Sequence, residues 1–443
     1  MTFKEAEQFL YSLTNLPRKE YMTDSKDCSE YLPRVQFFLD LLGNPEKKIP
    51  HYIHVTGTSG KGSTVHYIHN ILLAAGKNVA STTSPHPTSL TERWKIGNAY
   101  MSKKEFADII ETFSPILDIY VRTSPYDMLS YFDLTTIIAL YYFAQKKVAW
   151  AILEVGCGGT YDATNIIPYK DVAVITNVGL DHTQLLGKTK KEIVARKAGI
   201  IISPPDGKEP CTVITSEQNA TIRKVIETQA HKQHSPMHLI AKKDISHIAI
   251  DLSGTSFTYK STKYHTTAIG SHQSMNASVA IDVARSIGID EKNIAKGILQ
   301  TTQPLRMELL SDMPMIILDG AHNEDKIKTT VQALQEIRTK HNKENLYIIN
   351  GFSGDKDIKK MIVQLATLRP KAVACTRNTI NHFRKVASPY DIAHVWKKLS
   401  NTKTDIFLQP KDAFTWAQKH VTKHDILLVT GSLFVSSEIK DFF

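Results

Sequence analysis

The chain has 443 residues, 42% of them hydrophobic, and 54 Lys and Arg against 44 Asp and Glu, for a net charge of +10. That length exceeds one ordinary hydrophobic core and predicts two or three domains, and the balanced composition excludes a disordered or fibrous chain. The basic residues are scattered, with no run of five like charges, and no reader motif for nucleic acid is present. An anionic small molecule is the partner this charge suits, beside a plain solvated basic surface.

In chain order, MTFKEAEQFLYSL predicts an amphipathic helix rather than a signal peptide. HYIHVT reads as a short buried strand, and TSGKGS follows as a glycine-rich turn. Val65, Ile68, Leu72 and Ala75 then share one helical face, with Gly76 suited to the helix end. NVAST, WAILEV and VAVITNV read as further parallel strands of the same sheet. LTTIIALYYFA and VAWAILEV are the longest apolar runs, and both are too short to span a bilayer. A helix starting near Thr189 carries Lys197, where a lysine ordinarily points to solvent. Residues 203–207, SPPDG, read as a turn.

HIAIDLSGTSFTYK alternates apolar and polar residues around a Ser-Gly turn and predicts a β-hairpin appended to the first sheet. The polar run within LQTTQPLRMELL marks a boundary, giving domains 1–302 and 303–443. Beyond it MIILD, LYIIN, AVACT, IFLQ and ILLVT form a second strand set with helices between, so both halves read as α/β. Cys28, Cys157, Cys211 and Cys375 form no C-x-x-C pair and indicate neither a zinc site nor a disulfide framework. A cytoplasmic enzyme fits these features.

The stretch GTSGKGST, residues 57–64, departs from the widespread phosphate loop G-x-x-x-x-G-K-[ST]. Val55 stands where that pattern has its first glycine, and Gly62 follows Lys61. Strand, glycine loop and helix are nonetheless the context a phosphate needs. Gly57, Gly60 and Gly62 let backbone N–H groups approach an anion, and the helix start adds partial positive charge. Lys61 can reach outer phosphates, and Ser63 or Thr64 can offer a hydroxyl to Mg²⁺. Mg²⁺ prefers hard oxygen ligands. Glu154 closes a strand at the sheet edge where α/β proteins bind ligands. Asp181 and His182 follow another strand, as does Ser84. Each has an ordinary structural alternative: a capping Glu, a hydrogen-bonded His, a turn Ser. Arg306 in the linker and Asp319 after MIILD are further candidates.

Together these blocks resemble the folylpolyglutamate synthase / dihydrofolate synthase family of the Mur ligase superfamily. The likeness runs in order through LLGNPEKKIPHYIHVTGTSGKGST, TSPHPTSLTERWKIGN, LEVGCGGTYDATNII, ITNVGLDHTQLLG, ARKAGII, GSHQSMNASVA, PLRMELL, ILDGAHN, GDKD and TGSLF. It implies a Mur-ligase-like P-loop ATPase domain with a mostly parallel sheet and a smaller Rossmann-like C-terminal α/β domain. It implies ATP held by Gly57, Thr58, Ser59, Gly60, Lys61, Gly62, Ser63, Thr64, Asn276, Arg306 and Asp319. Mg²⁺ would be held by Ser84, Glu154 and His182, with a second ion on Lys197 if that lysine is carbamylated. His322 would lie near the incoming glutamate, and Lys61, Lys197 and His322 would be the catalytic set. Folate would meet Phe132, Asp133, Asp162 and Ala163.

The implied activity is ATP-dependent addition of L-glutamate to a folate tail, and to dihydropteroate in the bifunctional form, by a monomer without membrane or nucleic-acid partners. Thr160 stands where bacterial members have arginine, and Asp133 where Glu is common. The segment NLPRKEYMTDSKDCSEYLPR matches poorly where dihydrofolate synthases contact the pterin. The rivals are a Mur-type ligase with a non-folate carboxylate substrate, a non-catalytic nucleotide-binding module, and a P-loop kinase that forms no amide.

Overall fold

The computed structural model describes all residues except 14–27, 29, 203, 205–207, 342, 344, 355 and 381–384. The turn expected at 203–207 and much of the segment 15–34 therefore lie outside the described residues. Two compact units emerge: residues 1–244 with 275–298, and residues 245–274 with 299–443. The boundary expected at 302/303 lies four residues past one crossing, and the chain also crosses at 244/245 and 274/275.

The first unit is built on strands β1 (His51–Thr56), β2 (Val79–Thr82), β3 (Trp94–Ile96), β4 (Ala99–Tyr100), β5 (Trp150–Glu154), β6 (Val172–Ile175), β7 (Thr212–Thr215) and β8 (Met237–Leu239). Their order in the sheet is β4-β3-β2-β5-β1-β6-β7-β8. All run parallel except β3 and β4, which add an antiparallel edge. Strands β5 and β6 are buried along their whole length. That is why WAILE and VAVI are continuous apolar runs without alternation. Parallel order also puts the C-terminal ends of β2, β5, β1 and β6 side by side. The loops after those four strands share one edge of the sheet.

Helices α1 (Phe3–Ser12), α2 (Tyr31–Leu41), α3 (Lys61–Ala74), α4 (Lys103–Thr123), α5 (Tyr131–Gln145), α6 (Thr183–Leu186) and α7 (Lys190–Ala198) accompany these strands. Helices α1, α4, α5 and α7 each open with a capping box, from Thr2/Glu5, Ser102/Glu105, Ser130/Asp133 and Thr189/Glu192. Each box satisfies orphan N–H groups of the first turn. An aromatic core lies beneath α1, α2, α4 and α5, where Trp94 stacks on Phe106 at 5.8 Å and Phe38 meets Phe113 edge-on at 5.5 Å.

The second unit holds β12 (Glu308–Asp312), β13 (Met315–Leu318), β14 (Leu346–Asn350), β15 (Ala372–Cys375), β16 (Lys403–Ile406) and β17 (Ile426–Thr430), in the order β12-β13-β17-β14-β15-β16. All are parallel but the edge strand β12. It also holds β9 (Ile245–Asp251), β10 (Gly254–Tyr259) and β11 (Thr262–Thr266), a separate antiparallel sheet. This corrects the expectation of a hairpin appended to the first sheet. Packing decides the matter: Ile250 is buried with Met307 and Ile337 in the core of the second unit, and Lys340 Nζ donates to Ile250 O. No helix among the described residues is long and apolar enough to cross a membrane.

One buried ion pair ties α2 to α5. Arg34 donates from Nε to Asp133 Oδ2 at 2.9 Å, and its Nη2 lies 2.7 Å from the same oxygen. Nη1 reaches Asp127 at 3.0 Å. Arg34→Leu strands the Asp133 charge in the interior and is expected to cost about 3–5 kcal/mol. Urea unfolding reads the loss, and adding Asp133→Asn should recover part of it.

Candidate active site

The 57–64 loop joins β1 to α3 and is strapped to the segment after β6. Ser59 N donates to Asn177 Oδ1 at 2.8 Å, Thr58 N to Asn177 O at 2.9 Å, and Thr176 Oγ1 to Ser59 O at 2.7 Å. Two glycines permit this closeness. A Cβ on Gly57 would sit 1.9 Å from Thr176 Oγ1, and one on Gly60, whose φ is +84°, would sit 2.4 Å from Asn276 Oδ1. Asn276, expected at the nucleotide, thus closes on the loop within the first unit. Thr176 and Asn177 were not singled out by sequence reasoning. Their only signal is a place just past a strand that pairs with β1.

The loop fits an anionic ligand. Ser59 Oγ and Thr64 Oγ1 are buried with no hydrogen-bond partner in the protein. The first N–H groups of α3 have no intrahelical acceptor and face the loop end of the helix. Lys61 folds back so that Nζ donates to Gly57 O at 3.1 Å.

Lys197 does not point to solvent. It is 4% exposed, and its Nζ donates to the same Gly57 O at 2.9 Å. The i, i+4 spacing of α7 turns Ile193, Val194, Lys197 and Ala198 inward together. Burial pushes its ammonium down to about 7, and the nearby Lys61 charge pushes the same way. Lys197 is therefore available as a neutral amine near physiological pH.

Glu154 ends β5, is buried, and accepts from Ser84 N at 3.1 Å. Ser84 and Glu154 therefore meet, as neighbouring parallel strand ends require. His182 opens α6 with φ +49°, and its N donates to Asp181 Oδ1 at 3.0 Å. Among the described residues, no three His, Cys, Asp or Glu side chains gather at metal-binding range. A divalent cation here would rest on Glu154 or His182 together with hydroxyl, phosphate or water oxygens.

The folate candidates surround the loop after β5. Phe132 covers Gly156, where a Cβ would meet its ring at 2.1 Å. Asp162 caps the short 3-10 turn Ala163–Ile166 through Thr164 N at 3.1 Å, and its Oδ2 accepts from Cys157 N at 2.9 Å. Burial raises its pKa. Ala163 is buried beside it. Asp133 accepts from Arg34 and from Ser130 N at 2.8 Å, so its carboxylate ties helices together inside the fold.

In the second unit, Asp319 follows β13. Its Oδ2 accepts from Met307 N at 2.9 Å, and its Oδ1 from Thr330 Oγ1 at 2.6 Å and Ala321 N at 3.1 Å. Burial raises this carboxyl too. It fixes the turn that carries Arg306, whose neighbours Leu305 and Met307 both have positive φ, +54° and +51°. His322 bonds Gly320 O through Nδ1 at 2.8 Å, and its Nε2 lies 3.0 Å from Lys326 Nζ. Arg306, Asp319 and His322 thus occupy one neighbourhood of that unit.

A strapped glycine-lysine loop on a parallel sheet, with a carboxylate at the next strand end, defines a nucleotide-binding enzyme. The Mur ligase middle domain matches residues 55–284, and the Mur ligase glutamate ligase domain matches 305–433. The chain is 31% identical to a folylpolyglutamate synthase of Lacticaseibacillus casei over 75% of its own length and 78% of that protein's. It is 28% identical to the dihydrofolate synthase/folylpolyglutamate synthase of Bacillus subtilis, covering 92% and 94% of the two chains. An Escherichia coli FolC structure in complex with DHPP and ADP superposes with a TM-score of 0.80 at 26% identity, covering 99% of this chain and 97% of that one. The chain belongs to the folylpolyglutamate synthase/dihydrofolate synthase family of Mur ligases.

The shifted lysine makes stability depend on pH. Lys197 has a folded pKa near 7 against an ordinary lysine value of 10.5, so between these the unfolded chain binds more protons. Its contribution is therefore fully present above the unfolded value and lost as pH falls toward 7. Lys197→Met should lessen, without abolishing, the rise in urea midpoint between pH 7 and 10 when measured in CO₂-depleted buffer.

Proposed function

We propose that this protein joins L-glutamate to a folate carboxylate at the expense of ATP, acting as a cytoplasmic monomer. The observation that carries this reading is the convergence of Lys61 and Lys197 on one carbonyl of a glycine loop, within a chain of this family. A carboxylate does not react directly with an amine, because oxide is a poor leaving group. Transfer of the γ-phosphoryl group of ATP to the carboxylate oxygen gives an acyl phosphate. The glutamate amine then adds to the carbonyl carbon, phosphate leaves, and an amide remains with ADP.

In this chain the 57–64 loop holds the phosphates with backbone N–H groups, and Lys61 offsets charge on the transferred group. Ser59 and Thr64 supply the hydroxyls that lack protein partners. Ser84, Glu154 and His182 would hold Mg²⁺, which supplies charge neutralisation between phosphate oxygens when bound. Asn276, Arg306 and Asp319 would serve the nucleotide, and His322 the incoming glutamate. Phe132, Asp162 and Ala163 would line the path of the folate, with Asp133 bracing that wall from within through Arg34.

Lys197 is suited to carbamylation. Its neutral amine attacks CO₂, a C–N bond forms, one C=O bond opens to C–O⁻, and the nitrogen releases a proton to water. The ammonium becomes an anion able to hold a second cation. Lys197→Ala should lose most turnover and regain part of it with millimolar small carboxylates. Wild-type turnover without any carboxylate would remove the lysine from the mechanism.

Assays with ATP, Mg²⁺ and L-glutamate should show ADP release and a product heavier by one glutamate. Gain on both tetrahydrofolate and dihydropteroate marks a bifunctional enzyme; gain on tetrahydrofolate alone marks a polyglutamate synthase. Lys61→Ala or Glu154→Ala should abolish ligation while leaving the circular-dichroism spectrum intact. ATP-dependent glutamate transfer to some other carboxylate, with none to folates, would move the substrate outside this class.

A further inference from the structure

Lys170 is 3% exposed, and none of the catalytic steps above uses it. No carboxylate lies within ion-pair range of it among the described residues. Its Nζ instead faces three neutral acceptors: His54 Nδ1 at 3.3 Å, Asn165 Oδ1 at 2.9 Å and Ile200 O at 2.7 Å. Three acceptors match the three N–H bonds of an ammonium. Burial pushes that ammonium down to about 7, while the Cys211 thiol acts weakly the other way.

The protons along the neighbouring chain can be assigned from its far end. Both oxygens of Asp162 accept backbone N–H bonds, Oδ1 from Thr164 N at 3.1 Å and Oδ2 from Cys157 N at 2.9 Å, so Thr164 Oγ1, 2.5 Å away, donates its single hydroxyl proton to Oδ1. Thr164 Oγ1 must then accept from His54 Nε2, 2.8 Å distant. His54 is fully buried and its pKa lies well below the usual value, so it is neutral. With the proton on Nε2, its Nδ1 is bare and accepts from Lys170. The relay runs from the buried amine of Lys170 to the buried carboxyl of Asp162, through groups that are each satisfied in one direction only.

Both ends of this relay grip the centre. Asp162 holds Cys157 N in the loop after Glu154. Asn165, held by Lys170, donates from Nδ2 to Thr160 O and Gly199 O, each at 3.2 Å. Gly199 is the C-cap of α7, two residues beyond Lys197. Gly159 packs so tightly there that a Cβ would lie 2.9 Å from Lys197 O. Thr56 Oγ1 adds a 2.7 Å bond from β1 to Gly158 O. We propose that Lys170 is a positioning residue for the ligation centre. Through His54, Thr164 and Asp162 on one side and Asn165 on the other, it fixes the loop after Glu154 against the helix end that carries Lys197. This rests on the ligase reading above.

The test is Lys170→Met, which keeps the length and removes the hydrogen-bonding nitrogen. A displacement of under an ångström at Lys197 should lower kcat by roughly 10- to 100-fold. KM for ATP should change little, because the phosphate loop is strapped independently by Thr176 and Asn177. In ¹⁵N-histidine-labelled protein, wild-type His54 should show the Nε2–H tautomer with a hydrogen-bonded Nδ1, and Lys170→Met should lose that signature. Thr164→Val cuts the relay while leaving Lys170 its acceptors, and should reproduce the kcat loss. An Nδ1–H or doubly protonated His54 in the wild type overturns the proposal even if the variants do not fold. So does unchanged kcat in folded Lys170→Met. A wild-type protein that transfers glutamate to no folate counts against the function instead, because the tautomer is read without turnover.

Discussion

The carbonyl oxygen of Gly57 is the point on which the candidate site depends. Two lysines from different helices donate to it, Lys61 at 3.1 Å and Lys197 at 2.9 Å. Two ammonium groups so placed repel, and burial penalises the inner one further. Burial and the Lys61 charge together push the Lys197 ammonium down to about 7. That outcome requires the backbone of Gly57 to approach Thr176 closer than any side chain would allow. One glycine thus sets the shape of the loop, the charge of the buried lysine and the space left for an anion.

The rest of the first unit keeps that carbonyl in place. Four adjacent parallel strands end on one edge, and each contributes one loop: the lysine loop, Ser84, Glu154 and the Thr176–Asn177 strap. Within the sheet the strand ends are held by their ladder bonds, so their spacing is fixed before any side chain acts. Behind them the relay from Lys170 to Asp162 replaces apolar packing with directed bonds. Apolar contact tolerates sliding; a hydrogen bond fixes both distance and direction. The second unit shows the same economy on a smaller scale, where one buried carboxylate, Asp319, fixes the strained turn around Arg306.

Much of this was legible in the sequence. Continuous runs such as WAILE and VAVI read as strands buried on both faces, and the glycine loop between HYIHVT and an amphipathic helix stated its own context. Strands β3, β4, β7 and β8 were not anticipated: each has no more than four residues, too few to show a period. The antiparallel pairing of HIAIDLSGTSFTYK, residues 247–260, was legible, but not the third strand β11 or the allegiance of the sheet, because local alternation says nothing about which core receives Ile250. Lys197 and Lys170 were the least legible. A lysine on a helix or in a loop carries no local mark of burial, and only the positions of Gly57 O, His54 and Ile200 O decide it. The block-by-block family likeness pointed to Lys197, whereas Lys170 lies outside every stretch that carried that likeness.

The chain passes between its two units three times, at 244/245, 274/275 and 298/299. The order of synthesis therefore differs from the order of assembly. When residue 244 leaves the ribosome, the first unit still lacks the segment 275–298, which includes Asn276 and Gly297, the latter packed against Ile71. Before that segment appears, the ribosome has already released strands β9 to β11, which belong to a core not yet made. Ile250 must wait for Met307 and Ile337 before it is buried. Neither unit can be released as a folded piece by a single cut in the chain. A nascent polypeptide of this design holds an exposed three-stranded sheet for the time needed to translate some tens of residues, an interval in which a chaperone has something definite to hold.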